Sequence, residues 1–140
     1  MLTRVLLALV VIAGLAAEAS AQDAKVLALG ITDHEVTGEE LAKGEAPPVP
    51  RFNSPGVAYA SIANLKKGDT VEVALVKGDQ SLLHNTATLA EDQASFLLQA
   101  GKRGVPAGGW PSEWKYFAKL KIARDGKTLI EQSTTPIPFE

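Results

Sequence analysis

Short runs of alternating apolar and polar residues, separated by turn-forming residues, recur along most of this chain. The run 70–77 alternates cleanly, which is the period of a strand with one buried face. Glycine and aspartate mark turns on either side of it, at 66–69 and 78–79. About seven runs spaced in this way predict an all-β fold, an antiparallel sandwich. The predicted strands are 25–32, 57–63, 70–77, 81–89, 94–100, 113–124 and 128–133.

Within these runs, the alternation also predicts which side chains are buried. In the first strand it places Leu27, Leu29 and Ile31 on one face. A helical turn starting near Glu91 is the alternative for the run 94–100. In the run 113–124, Trp114, Tyr116, Ala118, Leu120 and Ile122 share a buried face, and Lys115, Lys119 and Lys121 share a solvated one. Asp125-Gly126 then predicts a type I′ hairpin turn, whose two central residues have positive φ.

The start of the chain predicts export. It carries a positive charge, then an apolar run at 5–17, and then small residues at 19–21 that fit the A-x-A cleavage pattern. The apolar run is shorter than the roughly 20 residues that span a bilayer. We therefore predict a signal peptide at 1–21 and a single mature domain at 22–140, located in a bacterial periplasm or secreted.

The amino-acid composition excludes several classes of function. The formal net charge of −2 lacks the basic excess that nucleic-acid binding requires. The chain has no cysteine, which excludes a lipoprotein anchor, thiol catalysis and cysteine-ligated metal. Beyond the signal no apolar run approaches membrane-spanning length. No G-x-S-x-G motif is present. We expect no catalytic residues and no cofactor.

The segment 33–50 differs from the rest of the chain because it is acidic and contains three prolines. Thr37 followed by Glu40 has the form of a capping box and predicts one helical turn. The segment has little apolar content, so we expect it to be loosely held and removable without loss of the fold. An acidic loop of this kind is a candidate contact surface, with Glu39 and Glu40 as its candidate ligand-binding residues.

The C-terminal third resembles the last hairpin of bacterial immunoglobulin-like and fibronectin type III-like domains. The residues that carry the resemblance are Pro106, Gly109-Trp110-Pro111, Tyr116, the alternation through Ile122, and Asp125-Gly126-Lys127. The resemblance covers about 30 residues and implies an immunoglobulin-like sandwich. It also implies that Trp110 closes one end of the sandwich and that Tyr116 fixes a corner. The cysteine pair of antibody domains is absent.

Three hypotheses for the function follow. The leading one is a non-catalytic exported binding module that contacts another envelope protein through its sheet edges and the acidic loop. The second is a carbohydrate-binding module that stacks sugars on an exposed Trp110, and the burial of that ring separates the two. The third is a weak metal-binding protein using His34, Glu35 and His84. Neighbouring strand residues point to opposite faces, so we favour two unrelated surface histidines. The oligomeric state stays open.

Overall fold

The structure, a computed structural model, describes residues 23–44, 46–102, 109–110, 115–137 and 139. Across these residues it is an all-β sandwich of two antiparallel sheets, as predicted. One sheet has the order β1-β2-β5 and the other the order β4-β3-β6-β7. The elements are β1 (Lys25–Thr32), α1 (Gly38–Ala42), β2 (Gly56–Leu65), β3 (Thr70–Lys77), β4 (Gln80–Thr88), β5 (Gln93–Lys102), β6 (Tyr116–Arg124) and β7 (Lys127–Ser133).

Most predicted strands lie where the alternation placed them. β1 and β3 match their predicted bounds to the residue, and the run 94–100 is a strand rather than a helical turn. β6 begins at Tyr116 rather than at 113. Trp114, predicted to be in the core, lies outside the described residues.

The core fills the space between the two sheets. Tyr116, Ala118, Leu120 and Ile122 of β6 are almost fully buried, whereas Lys119 and Lys121 are exposed, so the predicted face of this strand is confirmed from Tyr116 onward. The other strands contribute Ala58, Ala60 and Ile62 from β2, Val71, Val73 and Leu75 from β3, and Leu98 and Ala100 from β5. Burying each large apolar side chain contributes about 1.5–3 kcal/mol.

β1 departs from simple alternation. A β-bulge lies between Val26 and Ala28, and the extra residue reverses the faces of the side chains on its two sides. Leu29 and Ile31 therefore pack toward the core, whereas Leu27 is 54% exposed. The prediction that Leu27 shares their face is wrong for this reason.

Two turns at the same end of the sandwich are well defined. Asp125 and Gly126 have φ values of 55° and 78°, which confirms the positive φ predicted for this hairpin turn. In the turn between β2 and β3, the buried Asp69 carboxylate accepts hydrogen bonds from the Lys66 backbone N–H and from Arg124 of β6. This ion pair ties the connection between β2 and β3 to the end of β6, the neighbour of β3 in the four-stranded sheet.

Among the described residues, no helix has both the length and the apolar character needed to cross a membrane. The short α1 is the helix that the described part of the chain forms, and it lies in the segment 33–50 between β1 and β2. That segment is where the structure differs most from a plain sandwich.

Candidate functional site

The candidate site lies on the outer face of the three-stranded sheet, where the segment 33–50 folds over β1 and β2. We call this segment the strap. Beneath it is Tyr59 of β2, which is only 7% exposed although it does not belong to the core between the sheets. A Cβ atom on the neighbouring Gly30 would lie 2.6 Å from the Tyr59 hydroxyl oxygen. Glycine at position 30 therefore permits the close approach of the tyrosine to β1.

Side-chain hydrogen bonds hold the strap to the sheet. The Val36 N–H donates to Gln99 Oε1 at 2.6 Å, and Gln99 Nε2 donates to the Val36 carbonyl at 2.8 Å. Thr32 Oγ1 donates to the Pro48 carbonyl at 2.7 Å. Val36 and Pro50 are buried as well. Contrary to the expectation of a loosely held segment, polar clamps from β1 and β5 hold the two ends of the strap, in place of the apolar run that the sequence lacks.

The helical turn predicted in the strap is present as α1. Thr37 is its N-cap, and the Thr37 side chain accepts a hydrogen bond from the Glu40 N–H at 3.1 Å. The Glu40 carboxylate is half-buried and faces His34, whereas Glu39 is exposed. Of the two glutamates predicted to bind a partner, Glu40 is thus already engaged within the chain and Glu39 faces solvent.

His34 lies between two carboxylates at the start of the strap. Its Nδ1 is 2.7 Å from Asp33 Oδ1, and its Nε2 is 2.7 Å from Glu40 Oε2. Hydrogen bonding to Asp33, and then to Glu40, raises the pKa of His34 above its usual 6.5, against a smaller opposing effect of burial. Two acceptors at hydrogen-bond distance are best satisfied by an imidazolium, which donates from both nitrogens.

This arrangement does not make a metal site. A metal ligand needs an unprotonated ring nitrogen, and both nitrogens of His34 face carboxylates. His84 is exposed on β4 in the other sheet, and Glu35 is exposed next to His34. Within the described ranges, no group of three or more histidine, aspartate or glutamate side chains is placed to hold a metal ion.

An apolar groove runs beside the strap. Its volume is about 520 Å³, and α1 and the chain after it form one wall above a floor supplied by the sheet. Its lining is mostly apolar, with Ser61 and Ser95 as polar members; the apolar residues are Leu27, Ala28, Leu29, Leu41, Ala42, Ala46, Pro47 and Leu97. Leu27 lies on β1, which in the described part of the chain pairs with a strand on one side only.

Trp110 lies in the core. It is 4% exposed, its Nε1 donates to the Ser54 carbonyl at 2.8 Å, and its backbone N–H donates to the Phe52 carbonyl at 2.7 Å. The ring packs edge-to-face against Tyr116 and Phe139, with centroid distances of 5.7 and 5.2 Å. The sequence leaves Trp110 open between core and surface, and its burial counts against the carbohydrate-binding hypothesis, which requires an exposed ring.

Sequence reasoning missed the residues that shape the site. Gly30 interrupts a strand pattern, which is a signal of close backbone approach, and it could have drawn attention to the outer face of β1. Gln99 and Tyr59 carry no comparable signal, because a polar or aromatic residue at an outward strand position is ordinary.

The fold and the site define a β-sandwich with a strapped apolar groove on its smaller sheet. No protein-family model matches this chain, and no curated protein shows significant similarity to it. A proposal for the function must therefore be based on the residues of the site.

Proposed function

We propose that this protein is a non-catalytic, exported binding module of immunoglobulin-like fold that contacts another envelope protein. The observation that carries the proposal is the apolar groove beside β1, with Leu27 more than half exposed at its rim. Exposed apolar surface next to polar residues is characteristic of interaction sites. The occupant that fits best is an extended segment of the partner protein.

The strand at the rim of the groove supports this kind of partner. A terminal strand leaves backbone N–H and C=O groups on its outer side without a strand partner, and an added strand can pair with them. Leu27 is turned outward by the bulge, next to the groove, so an added strand would meet an apolar pocket as well as an open edge. Specificity would then come from side chains entering the groove, near Ser61 and Ser95.

The strand order supports the immunoglobulin-like part of the proposal. In an immunoglobulin constant-type domain the first, second, fifth and fourth strands form one sheet, and the third, sixth and seventh form the other. The present order differs from it in the fourth strand alone, since β4 pairs with β3 instead of β5. The proposed export rests on the charged start, the apolar run and the A-x-A pattern of residues 1–21.

Site-specific photocrosslinking in cells tests the proposal. A photoreactive amino acid at position 27 should give an adduct with another envelope protein. The matched control is position 129, because Leu129 is also exposed but lies on β7, in the other sheet. Adducts from position 129 but none from position 27 would contradict the proposed surface.

A substitution completes this experiment. Leu27→Asp should abolish the adducts formed by a photoreactive group at the neighbouring position 25, while Leu129→Asp should leave them unchanged. Both substitutions are at exposed positions, so each should alter the free energy of unfolding only slightly. Adducts that survive Leu27→Asp would place the contact elsewhere on the protein.

A further inference from the structure

We propose that His34 is a proton-operated latch that holds α1 against the sheet and so sets the shape of the apolar groove. The latch is a property of the isolated protein, and its effect on partner binding rests on the proposed function. The proposal is based on the bridge that the His34 ring forms. The ring contacts Asp33, at the end of β1, and Glu40, on the helix that forms one wall of the groove.

The bridge needs two N–H donors. Protonated imidazole has both, and distances of 2.7 Å are typical of charge-assisted hydrogen bonds. Neutral imidazole keeps one N–H and presents a lone pair at the other nitrogen. Loss of the proton therefore leaves one carboxylate facing a lone pair. Asp33 is adjacent in the chain and stays close in any case, whereas Glu40 is six residues away and is free to leave.

α1 has little else to hold its position. It is five residues long, far below the roughly 12–15 residues at which an isolated helix becomes marginally stable. Thr37 caps its N-terminus, Leu41 and Ala42 line the groove, and none of its five residues is buried. Release of Glu40 therefore moves the wall of the groove, while the Gln99 clamp on Val36 keeps the start of the strap in place.

The groups around His34 determine the direction of the effect. On the strap these are Asp33, Glu40 and the exposed Glu35, which lines the same depression. From β2, Tyr59 is near Glu40, and burial together with that carboxylate raises the pKa of the tyrosine above its usual 10, so it stays neutral. Val57 of β2 and Gln99 and Gly101 of β5 also line the depression, and none of these three residues titrates. The neighbours therefore favour the protonated latch.

The latch is consequently closed at pH values below the raised pKa of His34 at which the carboxylates are still charged, and it opens as the pH rises through that pKa. The bridge is partly exposed, with the histidine side chain at 41%. Because exposed ion pairs are weak, loss of the bridge should shift the equilibrium between the closed and open positions of α1 by about two- to fivefold. Deprotonation of His34 therefore changes the fraction of molecules with a closed latch by a modest factor and does not open all of them.

The test is NMR spectroscopy of the processed protein between about pH 6 and 9.5, a range in which carboxylates stay charged. The methyl signals of Leu41 and Ala42 should titrate together with the His34 ring and report an opening of about two- to fivefold. His34→Gln should abolish that titration. The matched control His84→Gln removes the exposed histidine of β4 and should leave the titration intact.

A second variant separates the latch from general pH effects. Glu40→Ala, which removes the acceptor, should give, at every pH, the Leu41 and Ala42 signals that the natural protein shows at high pH. The latch is overturned if these methyl groups ignore the titration of His34, or if their titration survives His34→Gln in a protein that still melts cooperatively. Failure of the proposed function shows differently, as an absence of adducts from position 27 while the methyl groups still titrate.

Discussion

Replacing Asp69 with alanine should destabilise the sandwich by about 3 kcal/mol. Asp69 is 1% exposed, and its carboxylate accepts hydrogen bonds from Arg124 Nε and Nη2, both at 2.9 Å, and from the Lys66 N–H at 2.8 Å. Its backbone is also tied in, because the Asp69 carbonyl accepts from the Leu89 N–H at 2.9 Å. The substitution removes the carboxylate and leaves the guanidinium without its partner.

The magnitude follows from the burial of the pair. Removing one partner of a fully buried ion pair costs about 3–5 kcal/mol, because the other charge stays buried without compensation. The Arg124 side chain is 26% exposed, so water can partly replace the lost carboxylate. The cost should therefore be about 3 kcal/mol, at the low end of this range. A loss of this size is a large part of the roughly 5–15 kcal/mol that holds a domain of this size together.

Urea denaturation at neutral pH measures this effect. The control is Glu72→Ala, since Glu72 is an exposed residue of the adjoining strand β3 and should cost less than about 0.5 kcal/mol. The hydrogen bonds from Arg124, and then from Lys66, hold the pKa of Asp69 below its usual 3.8. The pair therefore contributes fully above pH 3.8 and is lost as the pH falls through the lower, folded pKa.

Asp69→Asn should accordingly show a shallower loss of stability in acid than the natural protein does. Equal urea midpoints for Asp69→Ala and Glu72→Ala would refute the reasoning, because they would mean that the buried pair contributes no more than a surface charge.

Three further predictions concern the core, the site and the processing of the chain. Leu120→Ala should cost about 2–5 kcal/mol, whereas Lys119→Ala, on the solvated face of the same strand, should stay within about 0.5 kcal/mol; equal denaturation midpoints would mean that the register of β6 is wrong. Gly30→Ala should cost about 1–3 kcal/mol and raise the accessibility of Tyr59 to iodination, since the new methyl group displaces the ring; unchanged iodination would contradict the close packing. N-terminal sequencing of the exported protein should find Gln22 as the first residue, and retention of the signal on soluble protein would remove the basis for the proposed location.

The sequence predicts those parts of the fold that depend on residues close together in the chain. β3 is predicted to the residue because alternation runs through the whole strand and turn residues mark both ends. The Asp125-Gly126 turn is predicted for the same reason, since its positive φ values are a property of two adjacent residues. The prediction fails at Leu27. The β-bulge there shifts the alternation of β1 by one residue, and the composition of the strand gives no sign of a bulge.

The candidate site was less predictable because its contacts are long-range. Gln99 clamps Val36 across 63 residues of sequence, and no periodicity links the two. The local capping pattern predicts the helical turn after Thr37, but no local pattern predicts the contact of Glu40 with His34, because that contact depends on how the strap folds back. The sequence leaves the burial of Trp110 open for a similar reason, since the neighbours of this ring come from distant parts of the chain.

The two outer faces of the sandwich have different chemistry, and this difference is the reason for placing the binding surface on the smaller sheet. The outer face of the larger sheet carries charged residues such as Lys119, Lys121 and Glu72, which water satisfies. The smaller sheet instead has an apolar groove beneath a strap. A chain without cysteine cannot fix such a strap with a disulfide, so hydrogen bonds and the His34 bridge hold it. Contacts of this kind break and re-form more readily than a covalent link, so α1, the wall of the groove, can move without unfolding the core.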